Sequence, residues 1–332
     1  MPISNTYQPS APAAKSGTGS AVSNREDLSN ELSILAPEET PILSLCSKGK
    51  ASATFSEWTV DSLSAPATTG VSEGSDVNSF SDKFADRARL GNYIQLMRRD
   101  YIVSNLQQAV TSVGPANVAQ AEAKSMREIK RDIEATIASA NEMTVENGAG
   151  TPYGMRGLGK WLQSTAQATN PVPTAYLTPS GSIITSTISE SSFNTLIGSI
   201  FAKNGEMNSL TLVANVALRQ LISGFARANP ATGSTTYHVN QDATSKQITL
   251  SVNLYDSDFG LVKILNGNPS CMPTASTNVG YVINPKYLGF NTLIPMGATR
   301  LENQGGGERG FVDVAGTLCV KHPQAHGKIA YS

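Results

Sequence analysis

The sequence is poor in charged residues, cysteine and histidine, and each shortage argues against particular kinds of surface or site. Charged side chains make up 15% of the 332 residues, against about 25% in an average soluble protein, which suggests that other protein covers much of the surface. The three cysteines, Cys46, Cys271 and Cys319, form no CxxC pair. They indicate neither a disulfide framework nor a thiolate zinc site, and we expect buried thiols in a reducing compartment.

Long apolar runs and strong net charge are also missing. No stretch of about 18 apolar residues could span a bilayer, and no signal peptide opens the chain. We therefore expect a soluble protein that is made in the cytoplasm and has no membrane partner. The formal net charge is −1, which does not support strong sequence-independent binding of nucleic acid.

No catalytic constellation stands out. The segment Gly154–Lys160 matches the GxxxxGK pattern of a phosphate-binding loop, but Trp161 stands where Ser or Thr would hold magnesium, and a helix precedes it instead of a strand. His322 and His326 have the spacing of a helical zinc pair, but Pro323 between them disfavours that helix. The sequence thus predicts no enzyme, cofactor or metal site. A nucleotide-dependent enzyme that uses Gly154–Lys160 remains the least favoured alternative.

The strongest pattern that is present predicts a long helix over residues 115–146. Pro115 suits a first helical position, and Asn147-Gly148 provides a stop signal. At about 1.5 Å per residue the helix would be roughly 48 Å long, with Lys130 and Glu134 paired on its exposed side. The apolar stripe predicted for its other side consists of Ala119, Ala123, Met126, Ile129, Ile133, Ile137 and Ala140.

The segments before this helix cannot bury themselves. Residues 1–24 are too poor in apolar side chains to order alone, and residues 25–39 predict one short helix before an extended stretch from Thr40. Strands predicted at 51–60 and 92–104 enclose a long Ser/Gly/Ala/Thr-rich loop. Because a two-stranded hairpin is marginal in water and such long loops are usually functional or disordered, this ribbon needs a partner surface.

Opposite charges lie on the two limbs of the predicted ribbon. Arginines cluster on and before the second strand, and carboxylates lie on the first limb. They could pair internally, with little gain in stability, or pair bidentately with a neighbouring chain and fix its register. Both interpretations stay open. The candidate inter-subunit contact residues are Glu57, Trp58, Asp61, Arg87, Arg89, Arg98 and Arg99.

The remainder predicts alternating helices and strands. A helix at 189–204 has Ser189 or Ser191 as N-cap and Gly205 after its end. The other predicted elements are strand 209–214, helix 216–227, strands 247–254 and 259–266 around a YDSD turn, strand 279–284, and a hairpin-like return over 297–332.

In this order the parts resemble the Hong Kong 97 shell fold of tailed-bacteriophage major capsid proteins. The similar segments lie in sequence between residues 25 and 329. They are REDLS (25–29), PEETPILS (37–44), EWTVDSL (57–63), EIKRDIEA (128–135), MRGLGKW (155–161), YDSDFG (255–260) and AHGKI (325–329). Their order and spread carry the resemblance, since no single segment is decisive.

The resemblance implies an α+β fold in five parts. They are an N-terminal arm (1–48), an extended two-stranded loop (49–105), a peripheral domain with the long spine helix (106–172), an α/β axial domain (173–296), and C-terminal strands that return to the peripheral domain (297–332). In this family the extended loop lies over the adjacent subunit.

The resemblance also implies a function and a set of partners. The chain would assemble as pentamers and hexamers into an icosahedral virion shell around double-stranded DNA, without sequence-specific binding, in the host cytoplasm. Its partners would be a portal protein and a scaffolding protein, with a cement protein as a further candidate. The scaffolding protein would be a separate chain, since family-like sequence begins near Arg25. The alternative within this fold is the shell of a cellular nanocompartment.

Overall fold

The computed structural model describes residues 38–110, 117–205, 210–225 and 253–332. Its helices are α1 (Pro41–Leu45), α2 (Asn105–Ala109), α3 (Val118–Ala138), α4 (Leu158–Trp161), α5 (Glu190–Asn204) and α6 (Val216–Phe225). Its strands are β1 (Ser47–Lys50), β2 (Phe55–Val60), β3 (Ala88–Tyr93), β4 (Gln95–Val103), β5 (Ile183–Ile184), β6 (Leu210–Ala214), β7 (Leu254–Ser257), β8 (Gly260–Asn266), β9 (Asn278–Ile283), β10 (Leu288–Leu301), β11 (Glu308–Val320) and β12 (Gly327–Tyr331).

The strands form two sheets and one ribbon. A four-stranded sheet has the order β1-β10-β11-β4, and a six-stranded sheet has the order β5-β12-β9-β6-β8-β7. Strands β2 and β3 pair only with each other, in an antiparallel ribbon. Helix α3 packs against β4 and β11 of the four-stranded sheet, whereas α5 and α6 share a hydrophobic cluster with β6 and β8.

The spine helix α3 is shorter than the sequence predicted. It begins after Asn117, whose side chain accepts the backbone N–H of Gln120, and it ends at Ala138. Its 21 residues make a rod of about 32 Å. The predicted continuation to residue 146 is wrong because the chain turns extended at Ser139, where tertiary hydrogen bonds from residues 157 and 159 meet the backbone of residues 139–141.

The apolar face of α3 is confirmed at its centre. Ile129, Ile133 and Ile137 are buried in the main hydrophobic cluster. However, the predicted surface pair of Lys130 with Glu134 is wrong, because Glu134 is buried beside them and receives hydrogen bonds from α1 instead. The extended stretch predicted from Thr40 is also replaced, since residues 41–45 form α1.

The second strand of the ribbon is β3, and the prediction that it spans residues 92–104 is wrong. The segment 92–104 is split at Ile94: β3 pairs with β2, whereas β4 pairs with β11 and so belongs to the four-stranded sheet. Arg98 and Arg99 therefore lie on that sheet and not on the ribbon. Burial explains the division, because Met97 and Tyr101 of β4 join the cluster beneath α3.

The α/β region follows the sequence closely where its signals are local. Helix α5 begins after Ser189, which forms a reciprocal capping box with Ser192, and ends before Gly205 at φ 68°. Strands β6 and β9 are buried along their whole length, because both faces of their sheet are covered. The predicted turn is displaced, since β7 extends to Ser257 and only Asp258 and Phe259 connect it to β8.

Two C-terminal features differ from the return hairpin predicted over 297–332. Strand β10 begins earlier, at Leu288, and β12 pairs with β9 in the six-stranded sheet. Of these C-terminal strands, β10 and β11 belong to the four-stranded sheet that packs against α3, and β12 does not. Three predictions lie wholly or mostly outside the described residues: the coil at 1–24, the helix at 25–39 and the strand at 247–254.

Candidate assembly surfaces

Ion pairs within the chain connect the two strands at the neck of the ribbon, which is the end of β2 and the start of β3. The Nε and Nη2 atoms of Arg87 both donate to Asp61 Oδ2 at 3.1 Å. Further into the ribbon, Nη1 of Arg89 lies 3.6 Å from Oε2 of Glu57, diagonally across the two strands. Four of the seven predicted contact residues thus form ion pairs with one another inside the chain, and not with a neighbouring chain. All four are largely exposed, so each pair adds only about 0–1 kcal/mol to stability.

Trp58 packs the base of the ribbon against α4 of the same subunit. Its ring lies 5.6 Å from that of Trp161, in a tilted arrangement, and such aromatic contacts add to the burial of apolar area. Trp161 in turn lies beneath the guanidinium of Arg156, 4.8 Å from its ring centre. The tryptophan predicted as a contact residue therefore holds the ribbon to α4.

Beyond this neck the chain spans residues 61–87 without helix or strand. The hydroxyl of Tyr176 donates to the carbonyl of Asp86 and holds the base of this segment. Above the base, large apolar side chains point into solvent: Leu63 is 99% exposed and Phe80 is 91% exposed, and Val71, Val77 and Phe84 are exposed as well. Exposed apolar side chains in this number are typical of surfaces that bind a protein, a membrane or a ligand.

Arg98 and Arg99 face opposite sides of β4. The Nε and Nη2 atoms of Arg99 donate to the two carboxylate oxygens of Asp132 on α3, at 2.6 and 2.7 Å, and this bond raises the pKa of the Arg99 guanidinium. Arg98 lies on the other face, over the ring of Phe311 at 5.5 Å. Among the described residues Arg98 makes no ion pair.

The Gly154–Lys160 segment is a packing turn and not a phosphate cradle. The backbone N–H groups of Gly157 and Gly159 donate to the carbonyls of Asn141 and Ser139 at 3.1 and 3.0 Å. Those of Met155 and Arg156 donate to side chains of β3 and β4. A Cβ on Gly159 would lie 2.8 Å from the Tyr281 hydroxyl, so the glycines permit close approach to the end of α3.

Sequence reasoning missed two buried charges that organise these contacts. Arg156 is fully buried and donates through Nε to Glu142 at 2.6 Å and through Nη2 to the carbonyls of Thr169 and Asn170. Glu134 is the second, with 1% of its surface exposed. The available signal was its spacing of three residues from Ile137, which places the two side chains on neighbouring positions of the helix surface. Nothing in the sequence alone marks Arg156.

The two C-terminal histidines do not form a metal site. His326 is buried, and its Nδ1 accepts the backbone N–H of Asn284 at 3.2 Å, so burial lowers its pKa to about 4. His322 lies between the rings of Tyr176 and Tyr287. Within the described ranges no three His, Cys, Asp or Glu side chains are grouped to hold a metal. None of the described helices combines the length and the apolar character of a membrane span.

Solved structures similar to this chain include the capsids of bacteriophages and of a GTA particle. The capsid of Cyanophage P-SCSP1u matches with a TM-score of 0.62 at 12% identity, over 98% of this chain and 99% of that one. Gordonia phage Cozz gives 0.59 at 12% identity, over 98% of both chains. The capsid of a native GTA particle gives 0.59 at 13% identity, over 98% of this chain and 100% of that one. Identities this low establish the fold alone.

A family model decides the membership. Among curated protein sequences no significant match was found, but the model described as SU10 major capsid protein matches residues 13–331. The proteins of this family and the structural neighbours are structural components of capsids and not enzymes. The chain, which has the predicted α+β Hong Kong 97-like fold, therefore belongs to the SU10 major capsid protein family and is a structural component of a virion capsid built from many copies.

Proposed function

We propose that the chain assembles as pentamers and hexamers into an icosahedral shell that encloses packaged double-stranded DNA. In this proposal the segments 1–48, 49–105, 106–172, 173–296 and 297–332 serve as arm, extended loop, peripheral domain, axial domain and return strands. Two strands act outside their segments. Strand β4 of the second segment pairs with β11 and acts with the peripheral domain, and β12 of the last segment pairs with β9 and acts with the axial domain.

One observation carries the proposal. The segment 61–87 presents Leu63, Phe80 and other large apolar side chains to solvent, although it contains no described helix or strand. Leaving such side chains in water forgoes about 1.5–3 kcal/mol for each one that could be buried. An adjacent copy of the chain is the surface on which this segment would lie in a closed shell.

The predicted contact residues take two different parts in this assembly. Glu57, Asp61, Arg87 and Arg89 pair within the ribbon, so they would hold its shape as it reaches the neighbour. Arg98 is the candidate for direct contact, because it is exposed and makes no ion pair in the described chain. Arg99 and Trp58 would act through Asp132 and Trp161, which they contact.

The proposed partners are a portal protein, a scaffolding protein that is a separate chain, and a cement protein on the outer surface. Assembly would take place in the host cytoplasm. With a net charge of −1 the shell would enclose DNA as a container and not through base-specific contacts, which require side chains placed at base edges.

The test is to purify particles from the native source and image them by negative-stain electron microscopy. We expect closed shells with fivefold vertices that contain nuclease-protected double-stranded DNA. Shells that contain a packaged enzyme and no DNA would favour the nanocompartment alternative, and the absence of any shell or capsomer would contradict the proposal.

A further inference from the structure

Strand β4 is an edge strand with a free side. It spans the nine residues Gln95–Val103 and pairs with β11 on one side. It is the last strand of its sheet, and no described strand pairs with its other side. A long free edge is a ready template for another strand, and proteins often use such an edge to bind an added strand.

The outward face of β4 combines exposed apolar side chains at its ends with exposed charges at its centre. Residues 96, 98, 100 and 102 alternate with Met97 and Tyr101, which are buried towards α3. Leu96 is 60% exposed and Ile102 is 65% exposed. Between them lie the exposed charges of Arg98 and Asp100, and neither makes an ion pair within the described residues.

This pattern is complementary to itself. If a second copy of β4 runs antiparallel, centred on Arg99, then Leu96 lies opposite the other copy's Ile102, and Arg98 lies opposite its Asp100. Apolar meets apolar and cation meets anion, twice each, because a twofold contact repeats every pair. Residues directly opposite in an antiparallel pair lie close enough to interact. The nine residues overlap completely in this register.

The centre of the contact is also neutral. Arg99 would lie opposite the other copy's Arg99, which would be repulsive for free guanidinium groups. Here each Arg99 is already bound by both oxygens of its own Asp132, at 2.6 and 2.7 Å. The charge at the twofold axis is therefore compensated within each subunit.

We propose that two copies of this chain join through antiparallel pairing of their β4 edges, centred on Arg99, which fuses two four-stranded sheets into one of eight strands. The inference rests on the proposed function to the extent that the joined subunits belong to different capsomers. The partner is a second copy of the chain. A different protein on this edge is one of the outcomes that would overturn the proposal.

Cysteine cross-linking tests the register. The native cysteines are buried, so a double variant, Leu96→Cys with Ile102→Cys, brings its new thiols together only in the proposed pairing. In assembled particles we expect oxidised dimers of twice 35.0 kDa. Either single variant should give none, because its thiol and the symmetry copy lie about 20 Å apart along the strand.

The outcomes separate the two proposals. Particles that form but give no cross-link in the double variant, or give as much in the single variants, overturn β4 pairing and leave the proposed shell intact. Cross-linking of the double variant to a different protein overturns it in the same way. A chain that forms no particle at any concentration overturns both.

Charge exchange provides an independent test. Asp100→Arg places two arginines opposite each other twice, and we expect it to raise the protein concentration needed for half-assembly about tenfold at low salt. The double exchange, Arg98→Asp with Asp100→Arg, should restore assembly to within about threefold. Since a carboxylate at position 98 lies across from Asp313 in its own sheet, unfolding curves check the subunit. Failure of the exchange to restore assembly in stable subunits contradicts the pairing.

Discussion

Glu134 and Ile42 are 92 residues apart in the chain, and Oε1 of the glutamate accepts the backbone N–H of Ile42 at 2.9 Å. Oε2 accepts the N–H of Leu43 at 2.8 Å. These are donors of the first turn of α1, which has no partner for them within the helix. A carboxylate from the spine helix thus caps the helix that precedes β1, and burial raises its pKa although both hydrogen bonds act against that shift.

Glu134→Ala should destabilise the subunit by about 2–4 kcal/mol, because it leaves the buried N–H of Ile42 and the partly buried N–H of Leu43 without acceptors. Glu134→Gln keeps one acceptor oxygen, and we expect roughly half that loss. Urea unfolding of dispersed subunits measures the difference. Lys130→Ala on the exposed side of α3 is the control, within about 0.5 kcal/mol of the parent. Equal stability of the alanine variant and the parent would show that α1 is held by other contacts.

Gly157→Ala should destabilise the turn after α3, since a Cβ there would overlap the carbonyl oxygen of Ser139. Strain of this kind costs about 1–3 kcal/mol or more. Gly224→Ala is the matched control, because its Cβ meets no atom within 4 Å and alanine is the better helix former. Thermal unfolding compares the two. If the Gly157 variant were instead fully stable and the parent bound Mg-ATP in titration calorimetry, the packing-turn assignment would be wrong.

Acid should weaken the subunit through His326. The pKa of this imidazole falls from 6.5 when unfolded to about 4 when folded, so its contribution is complete above pH 6.5 and is lost as the pH falls through 4. The whole loss is on the order of 3 kcal/mol. His326→Gln, which can still accept from Asn284, should flatten this part of the stability profile.

The comparison for this prediction is His322→Gln. Burial lowers the pKa of His322 as well, and its side chain is less buried than that of His326. We therefore expect the smaller effect from its replacement. Urea unfolding at pH 7 and pH 4.5 provides the profiles, and an unchanged slope in the His326 variant would remove this residue from the explanation.

The exposed apolar segment should matter for assembly and not for folding. The double variant Leu63→Ser with Phe80→Ser changes side chains that are almost fully exposed, so the free energy of unfolding of dispersed subunits should stay within about 0.5 kcal/mol of the parent. Assembly measured by light scattering should weaken. Ser79→Ala in the same segment is the control. Unfolding that is clearly easier in the double variant would show that these side chains pack within their own subunit.

Local signals in the sequence predicted local structure well. Ser189 and Gly205 define α5 through a cap and a left-handed residue, both of which act within a few positions. The isoleucine stripe of α3 likewise depends only on helical spacing. The shell fold was predicted from the order of the segments and from their resemblance to a family.

The failures have long-range causes. The end of α3 is decided by Gly157 and Gly159, whose hydrogen bonds reach back to residues 139–141, and Glu134 is buried because α1 lies against it. Segment 92–104 divides at Ile94 because β11, more than 200 residues further on, pairs with β4. Periodicity within a window cannot show which distant strand will pair, so the partner of Arg99 could not be read from the sequence.

The central claim is that this chain completes its structure by packing against copies of itself. Multi-angle light scattering of the purified protein over a wide concentration range tests it most directly. We expect masses at multiples of 35.0 kDa that rise with concentration towards capsomers and shells. A homogeneous 35.0 kDa monomer at the highest concentration, with residues 61–87 protected from hydrogen exchange, would contradict it.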